Sequence, residues 1–204
     1  MKNFFFFSLL TVLLTAQITK AQVNAKMFQY PDVSQTHISF TYGGDVWIVS
    51  KEGGTANKLT SAKGTELLAR FSPDGKLICF SSTLDDKLNE IYTMELDTKN
   101  IKRITSNDRM ESSPAFHPDG KRIFYASFMD RDSANRITNS EIFVTDMNGS
   151  YHTRLTNRPG NDGALDISPN GKKIACHYFL NGKADIYTMD LDGTNIKQLT
   201  SGSS

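Results

Sequence analysis

A six-residue turn recurs along this chain, and its spacing constrains the fold more than any other feature. It reads Phe71-Ser72-Pro73-Asp74-Gly75-Lys76, then Phe116-His117-Pro118-Asp119-Gly120-Lys121, then Ile167-Ser168-Pro169-Asn170-Gly171-Lys172. Proline presets φ at the first corner, Asp or Asn bonds the local backbone, and Gly takes the left-handed position. An apolar run follows each copy, at residues 77–80, 123–126 and 174–176. Each turn therefore joins two strands of a hairpin.

Two further markers keep step with the turn. An acid opens an apolar-aromatic run at Asp45, Glu90, Glu141 and Asp185, and a strand end follows at Thr60, Thr105, Thr156 and Thr200, 15 residues later in all four copies. From Thr to the first residue of the next turn the distance is 11 in all three cases, so the length variation lies between turn and acid. A unit of about 45 residues holding four short strands is the period of a β-propeller blade. The fold class is all-β, with four blades at about 27–60, 65–105, 111–156 and 162–200. Insertion concentrates at residues 128–140 of the third blade, rich in Asp, Arg, Asn and Ser. Each blade must pack on a neighbour through both faces. Four blades of this type are expected as an open arc belonging to a six-bladed propeller, with a self-closed ring of four as the alternative. In an open arc the end faces carry apolar side chains, among them Val33, Phe40, Ile174 and Tyr187, and offer a route to self-association.

Residues 1–21 read as a secretory signal: Lys2, an apolar run over 4–14, and small residues at Thr19 and Ala21; an uncleaved anchor is the alternative. A short tail, 22–26, follows. The expected location is outside the cytoplasm, periplasmic or secreted in a bacterium. Without 1–21 the chain has 21 basic and 22 acidic residues, a net charge of −1, which argues against nucleic acid as a partner. The two cysteines, Cys79 and Cys176, lie in non-adjacent blades, opposite Ala175 and Phe80 in the repeat register. A disulfide needs Cα atoms within about 7 Å, so both are expected as buried free thiols.

The repeat, with Ser-Pro-Asp-Gly-Lys turns and the strand Asp185-Ile186-Tyr187-Thr188-Met189-Asp190, resembles TolB-like (WD40-like) propeller repeats over residues 27–200. The opening is more specific. Tyr30-Pro31-Asp32-Val33-Ser34, Tyr42-Gly43-Gly44-Asp45-Val46-Trp47-Ile48-Val49 and Glu52-Gly53-Gly54-Thr55-Ala56-Asn57-Lys58-Leu59-Thr60 resemble the start of tricorn-type serine peptidases. In that family a signal peptide, where present, leads into a six-bladed propeller, followed by a second propeller, a PDZ-like domain and the peptidase domain. TolB carries a separate α/β domain before its propeller, for which residues 22–26 leave no room. The resemblance implies an exported, non-catalytic propeller that handles peptides for a serine peptidase. The alternative is a TolB-type periplasmic scaffold that binds cell-envelope proteins.

No position matches the family's catalytic residues, which lie downstream of the first propeller, so no catalytic residue is assigned. His37, His117, His152 and His177 fall in different blades, and Ser72 and Ser168 belong to the turn. Asp190-Leu191-Asp192-Gly193 lacks EF-hand ligand spacing and, like Asn148-Gly149, reads as a hairpin turn. The four strand-opening acids are expected to bond turn amides. No metal and no cofactor is implied. One site residue is carried over from the resemblance: Arg109, in the loop 106–111, corresponds to basic residues that hold a peptide's C-terminal carboxylate. The family pattern has two adjacent arginines where this chain has Asp108-Arg109, and a solvated loop arginine is the competing reading.

Overall fold

The turn closes on itself through its own side chains. Ser72 Oγ donates to Asp74 at 2.6 Å and accepts the Leu77 N–H at 2.9 Å, while Asp74 accepts the Lys76 N–H at 3.1 Å. Ser168 and Asn170 repeat the arrangement in the fourth blade. In the third, the His117 ring accepts the Asp119 N–H instead.

These turns organise a computed structural model that describes residues 27–61, 63–85, 88–132 and 137–201. The expected signal segment, 1–21, lies outside the described residues. The first sheet comprises β1 (Gln29–Val33), β2 (His37–Tyr42), β3 (Asp45–Ser50) and β4 (Asn57–Lys58). The second comprises β5 (Glu66–Phe71), β6 (Leu77–Ser82), β7 (Glu90–Glu95) and β8 (Ile101–Arg103). The third comprises β9 (Glu111–Phe116), β10 (Arg122–Asp132), β11 (Ile137–Asp146) and β12 (His152–Arg154). The fourth comprises β13 (Asn161–Ile167), β14 (Lys173–Leu180), β15 (Lys183–Asp190) and β16 (Lys197–Gln198). Each is an antiparallel meander in sequence order, so the fold is all-β with four propeller blades. Among the described residues no helix is long and apolar enough to cross a membrane.

Strand alternation sends successive side chains to opposite faces, and the cores therefore lie between sheets. Phe80 and Tyr92 pack with Val46 of the first blade. Their neighbours Cys79 and Ile91 pack with Phe116, Ile123 and Tyr125 of the third. Phe124 and Ile142 in turn pack with Leu165, Ile174, Cys176 and Met189 of the fourth. Burying a side chain of this size contributes about 1.5–3 kcal/mol, so each junction is held by several such terms. Both cysteines are free and buried, in different junctions.

Sheet-to-sheet packing runs from first to second, second to third and third to fourth, leaving one face of the fourth sheet open. Ile91 and Ile142 are fully buried, but their counterpart Ile186 is 43% exposed and Leu199 is 53% exposed. The expected end-face residues divide accordingly. Val33 is exposed. Ile174 is buried and Tyr187 packs with it, because alternation turns both toward the third blade. Phe40 does lie on the face away from the second blade, opposite Trp47, yet it is buried, because Phe28 stacks on it at 4.6 Å. The described parts of the third-blade insertion, 128–132 and 137–140, extend the sheet: beyond a register shift, β10 and β11 continue pairing from Asp130↔Asn139 to Asp132↔Ile137.

Candidate functional site at the channel mouth and the blade junctions

The innermost strand of every blade is bulged at the same place. Register shifts against the second strand fall between Gln29 and Asp32, Leu67 and Arg70, and Gly163 and Asp166, with the matching shift in β9 between Ser112 and Ala115. Each bulge holds a non-glycine residue at positive φ: Tyr30 (51°), Leu68 (58°), Ser113 (53°) and Ala164 (42°). Such a conformation costs roughly 1–3 kcal/mol, and bulges re-aim the side chains that follow. The residue two positions on is Asp32, Arg70, Ala115 or Asp166, and all four line one cavity of about 470 Å³ where the innermost strands converge.

The rim of this cavity is amphoteric. Asp32, Asp166, Arg70 and Lys51 line it together with the turn residues Ser72 and Pro73. Asp32 accepts the Phe71 N–H at 2.7 Å, which ties the first blade to the second. Asp166 accepts the Ile167 N–H at 2.8 Å, and Arg70 donates to the Ala69 carbonyl at 3.2 Å. A ligand bearing both charges, such as a peptide, suits a rim of this kind. Sequence reasoning missed the ring because its four members are two Asp, one Arg and one Ala, with no common motif; only the strand register relates them.

Arg109 stands elsewhere. It precedes β9, at the end of that strand remote from the cavity, which β9 lines with Ala115 and Phe116. Its N–H donates to Asn107 Oδ1 at 2.8 Å, which fixes the loop backbone.

That loop belongs to a second repeated constellation. Each Thr hydroxyl accepts the amide following the strand-opening acid: Val46 to Thr60, Ile91 to Thr105, Ile142 to Thr156 and Ile186 to Thr200, at 2.8–2.9 Å. Thr105 and Thr156 donate to Glu90 and Glu141 at 2.5 Å, and Thr200 donates to Asp185 at 3.1 Å. Turn amides are only part of the acids' bonding. Glu90 and Glu141 accept the Asn107 and Arg158 N–H groups, but also Arg103 and Arg154 at 2.9 and 2.8 Å, while Asp45 pairs with Lys58 at 2.7 Å. Across each junction a further buried acid stands at the start of the next innermost strand: Glu66, Glu111 and Asp162, the last being the second residue of β13. Their constant distance of six residues from Thr60, Thr105 and Thr156 was the signal that could have revealed them. Burial raises the carboxyl pKa of Glu66 and Glu141.

The histidines serve separate tasks. His117 reaches the Gly171 carbonyl of the next blade at 3.0 Å, His152 pairs with the Tyr125 hydroxyl at 2.8 Å, and His37 bonds Thr36. Asp192 accepts the Thr194 N–H within the hairpin turn. Among the described residues no group of three His, Cys, Asp or Glu is placed to hold a metal ion.

The family model described as the tricorn protease N-terminal beta propeller domain matches residues 25–140. A putative tricorn-like protease N-terminal subunit from Sulfurisphaera tokodaii is 32% identical over 54 residues, 26% of this chain and 28% of that protein. The crystal structure of TolB from Acinetobacter baumannii is similar over 87% of this chain and 44% of that one, with a TM-score of 0.72 and 26% identity. A putative TolB from Agrobacterium tumefaciens shares the fold, at a TM-score of 0.52 and 18% identity over 84% of this chain and 79% of that one. The chain thus spans less than half the length of the first two proteins it matches.

Proposed function

This chain belongs to the family of tricorn protease N-terminal β-propeller domains, and from that membership we propose that it is a non-catalytic peptide- and protein-binding propeller, the substrate- or product-handling part of an exported tricorn-like serine peptidase. The observation that carries the binding reading is the cavity ringed by Asp32, Arg70 and Asp166, because the same strained bulge builds it in all four blades. Backbone strain retained at every repeat of a lined cavity points to use rather than to packing alone. At the other end of the innermost strand, Arg109 would take a peptide's C-terminal carboxylate through its guanidinium. The chain's own part is to hold peptides; cleavage would fall to a peptidase domain of the same assembly.

Calorimetry with a set of short peptides, each as free acid and as C-terminal amide, tests this. Binding is expected to weaken when Arg70→Ala removes the cation at the rim, and the preference for free acids to vanish in Arg109→Ala. No affinity for any peptide would overturn the binding reading; equal affinity for acids and amides would overturn the role of Arg109. Turnover of tri- or tetrapeptides by the pure chain would overturn the non-catalytic assignment.

A second reading, a TolB-type periplasmic scaffold, draws on the likeness to TolB over 87% of the chain. Capture of a cell-envelope protein that competes with no peptide would favour it.

A further inference from the structure

We propose that Glu90 and Glu111 share one proton across the junction of the second and third blades, making that junction a pH-sensitive latch that holds the loop 106–110. Both carboxyl groups are fully buried. Thr105 Oγ1 stands between them, 2.5 Å from Glu90 Oε2 and 3.4 Å from Glu111 Oε2, while accepting the Ile91 N–H at 2.8 Å. A hydroxyl has one hydrogen to give, and the short contact assigns it to Glu90. Among the described residues, Glu111 Oε1 takes neutral donors, Ser127 Oγ and Asn107 Nδ2, each at 2.8 Å. Glu111 Oε2 lies on the same Thr105 hydroxyl as Glu90 Oε2, so the two carboxyl groups are neighbours, and Glu111 can satisfy Glu90 across that contact only by carrying a proton. Two neighbouring carboxylates oppose each other's ionisation unless a cation meets each.

The next junction shows the alternative solution. There Thr156 spends its hydrogen on Glu141, and Asp162, in the place of Glu111, is met by Arg158 at 3.2 and 2.5 Å. Arg158 and Asn107 both stand two residues after the junction threonine. With Arg154 on Glu141, that junction sets two cations against two acids. Among the described residues, the proton-sharing junction has Arg103 on Glu90, and the Tyr125 hydroxyl from β10, bonded to His152, also faces the pair. Asp108 and Arg109 follow in the loop itself.

Burial and the Glu90 carboxylate push the Glu111 carboxyl up to about 8. The folded chain therefore holds a proton that the unfolded chain releases in the ordinary carboxylate range. Stability is greatest below that range, falls as pH rises, and stops falling above about pH 8. Once ionised, the pair repels, and Asn107 is the residue that feels it: its amide holds Glu90, its side chain holds Glu111, and its Oδ1 holds Arg109. The latch follows from packing alone and does not depend on what the loop binds.

Urea unfolding of the purified protein between pH 5 and 9.5, with Glu111→Gln and Asn107→Arg alongside, decides the matter. The unchanged protein should lose about tenfold in its folding equilibrium constant per pH unit, relative to Glu111→Gln, up to about pH 8. Asn107→Arg, which installs the cation of the neighbouring junction, should flatten the profile in the same way, and it keeps the test open should Glu111→Gln fold poorly. At matched pH above 8, amide exchange over residues 106–111 should be faster in the unchanged protein than in either variant. Parallel pH profiles for all three proteins, or a Glu111 carboxyl carbon that titrates in the ordinary range, would overturn the latch.

Discussion

A Cβ placed on Gly193 would overlap the carbonyl oxygen of Leu155, so the last hairpin turn of the fourth blade is seated directly on the backbone of the third. Gly149 makes the same approach to Ile104 one junction earlier, and both glycines have positive φ, 81° and 67°. Alanine at either site should cost at least about 2 kcal/mol, from strain and overpacking together. Gly120 has φ of 68° but open space around it, so Gly120→Ala should cost only about 1–2 kcal/mol. Equal losses on urea unfolding at Gly120 and Gly193 would mean that the close approach contributes nothing.

The junction threonines should differ by burial. Thr156→Val keeps the shape but strips the Ile142 N–H of its acceptor and Glu141 of a donor, both in a buried site. A cost of about 2–4 kcal/mol follows from two unsatisfied groups. Thr200→Val removes the same bonds at an exposed position and should cost under about 1 kcal/mol. Indistinguishable unfolding midpoints for the two variants would defeat this account.

Arg158→Met should be among the most damaging single changes. It leaves the Asp162 carboxylate, 1% exposed, without its cation, a loss of about 3–5 kcal/mol. The double change Arg158→Met with Asp162→Leu should recover most of that stability. A double variant no more stable than the single one would show that the guanidinium acts chiefly through its stacking on Tyr178, at 3.8 Å.

Neither thiol should react in the folded protein. Burial raises the Cys79 thiol far above its ordinary range and pushes Cys176 up to about 12, so neither forms a thiolate at neutral pH. Alkylation without reductant should add nothing under native conditions and two adducts in denaturant, read by mass. A denatured mass lacking both adducts would refute the repeat register.

The open face of the fourth sheet should make the isolated blades associate. Ile186→Asp sits at a position that is 43% exposed, so it should disrupt association at little cost to folding. Sedimentation that stays concentration-dependent in this variant would place the contact on another surface.

The period of the chain, its turns and its acid-to-threonine spacing are all local in sequence, and they sufficed to define four four-stranded blades. Turn chemistry acts within six residues and strand alternation within two, so both can be read along a single chain. What tertiary structure decided is whatever depends on two blades at once. Phe40 is buried because Phe28 happens to stack on it. Asp32, Arg70, Ala115 and Asp166 line one cavity, each two residues after the positive-φ residue of a bulge, although no sequence motif links the four. Glu111 and Asp162 occupy the same place in the repeat, yet one faces Asn107 and the other Arg158. A carboxyl group's protonation depends on the charges around it in space, and that neighbourhood exists only once the blades have packed.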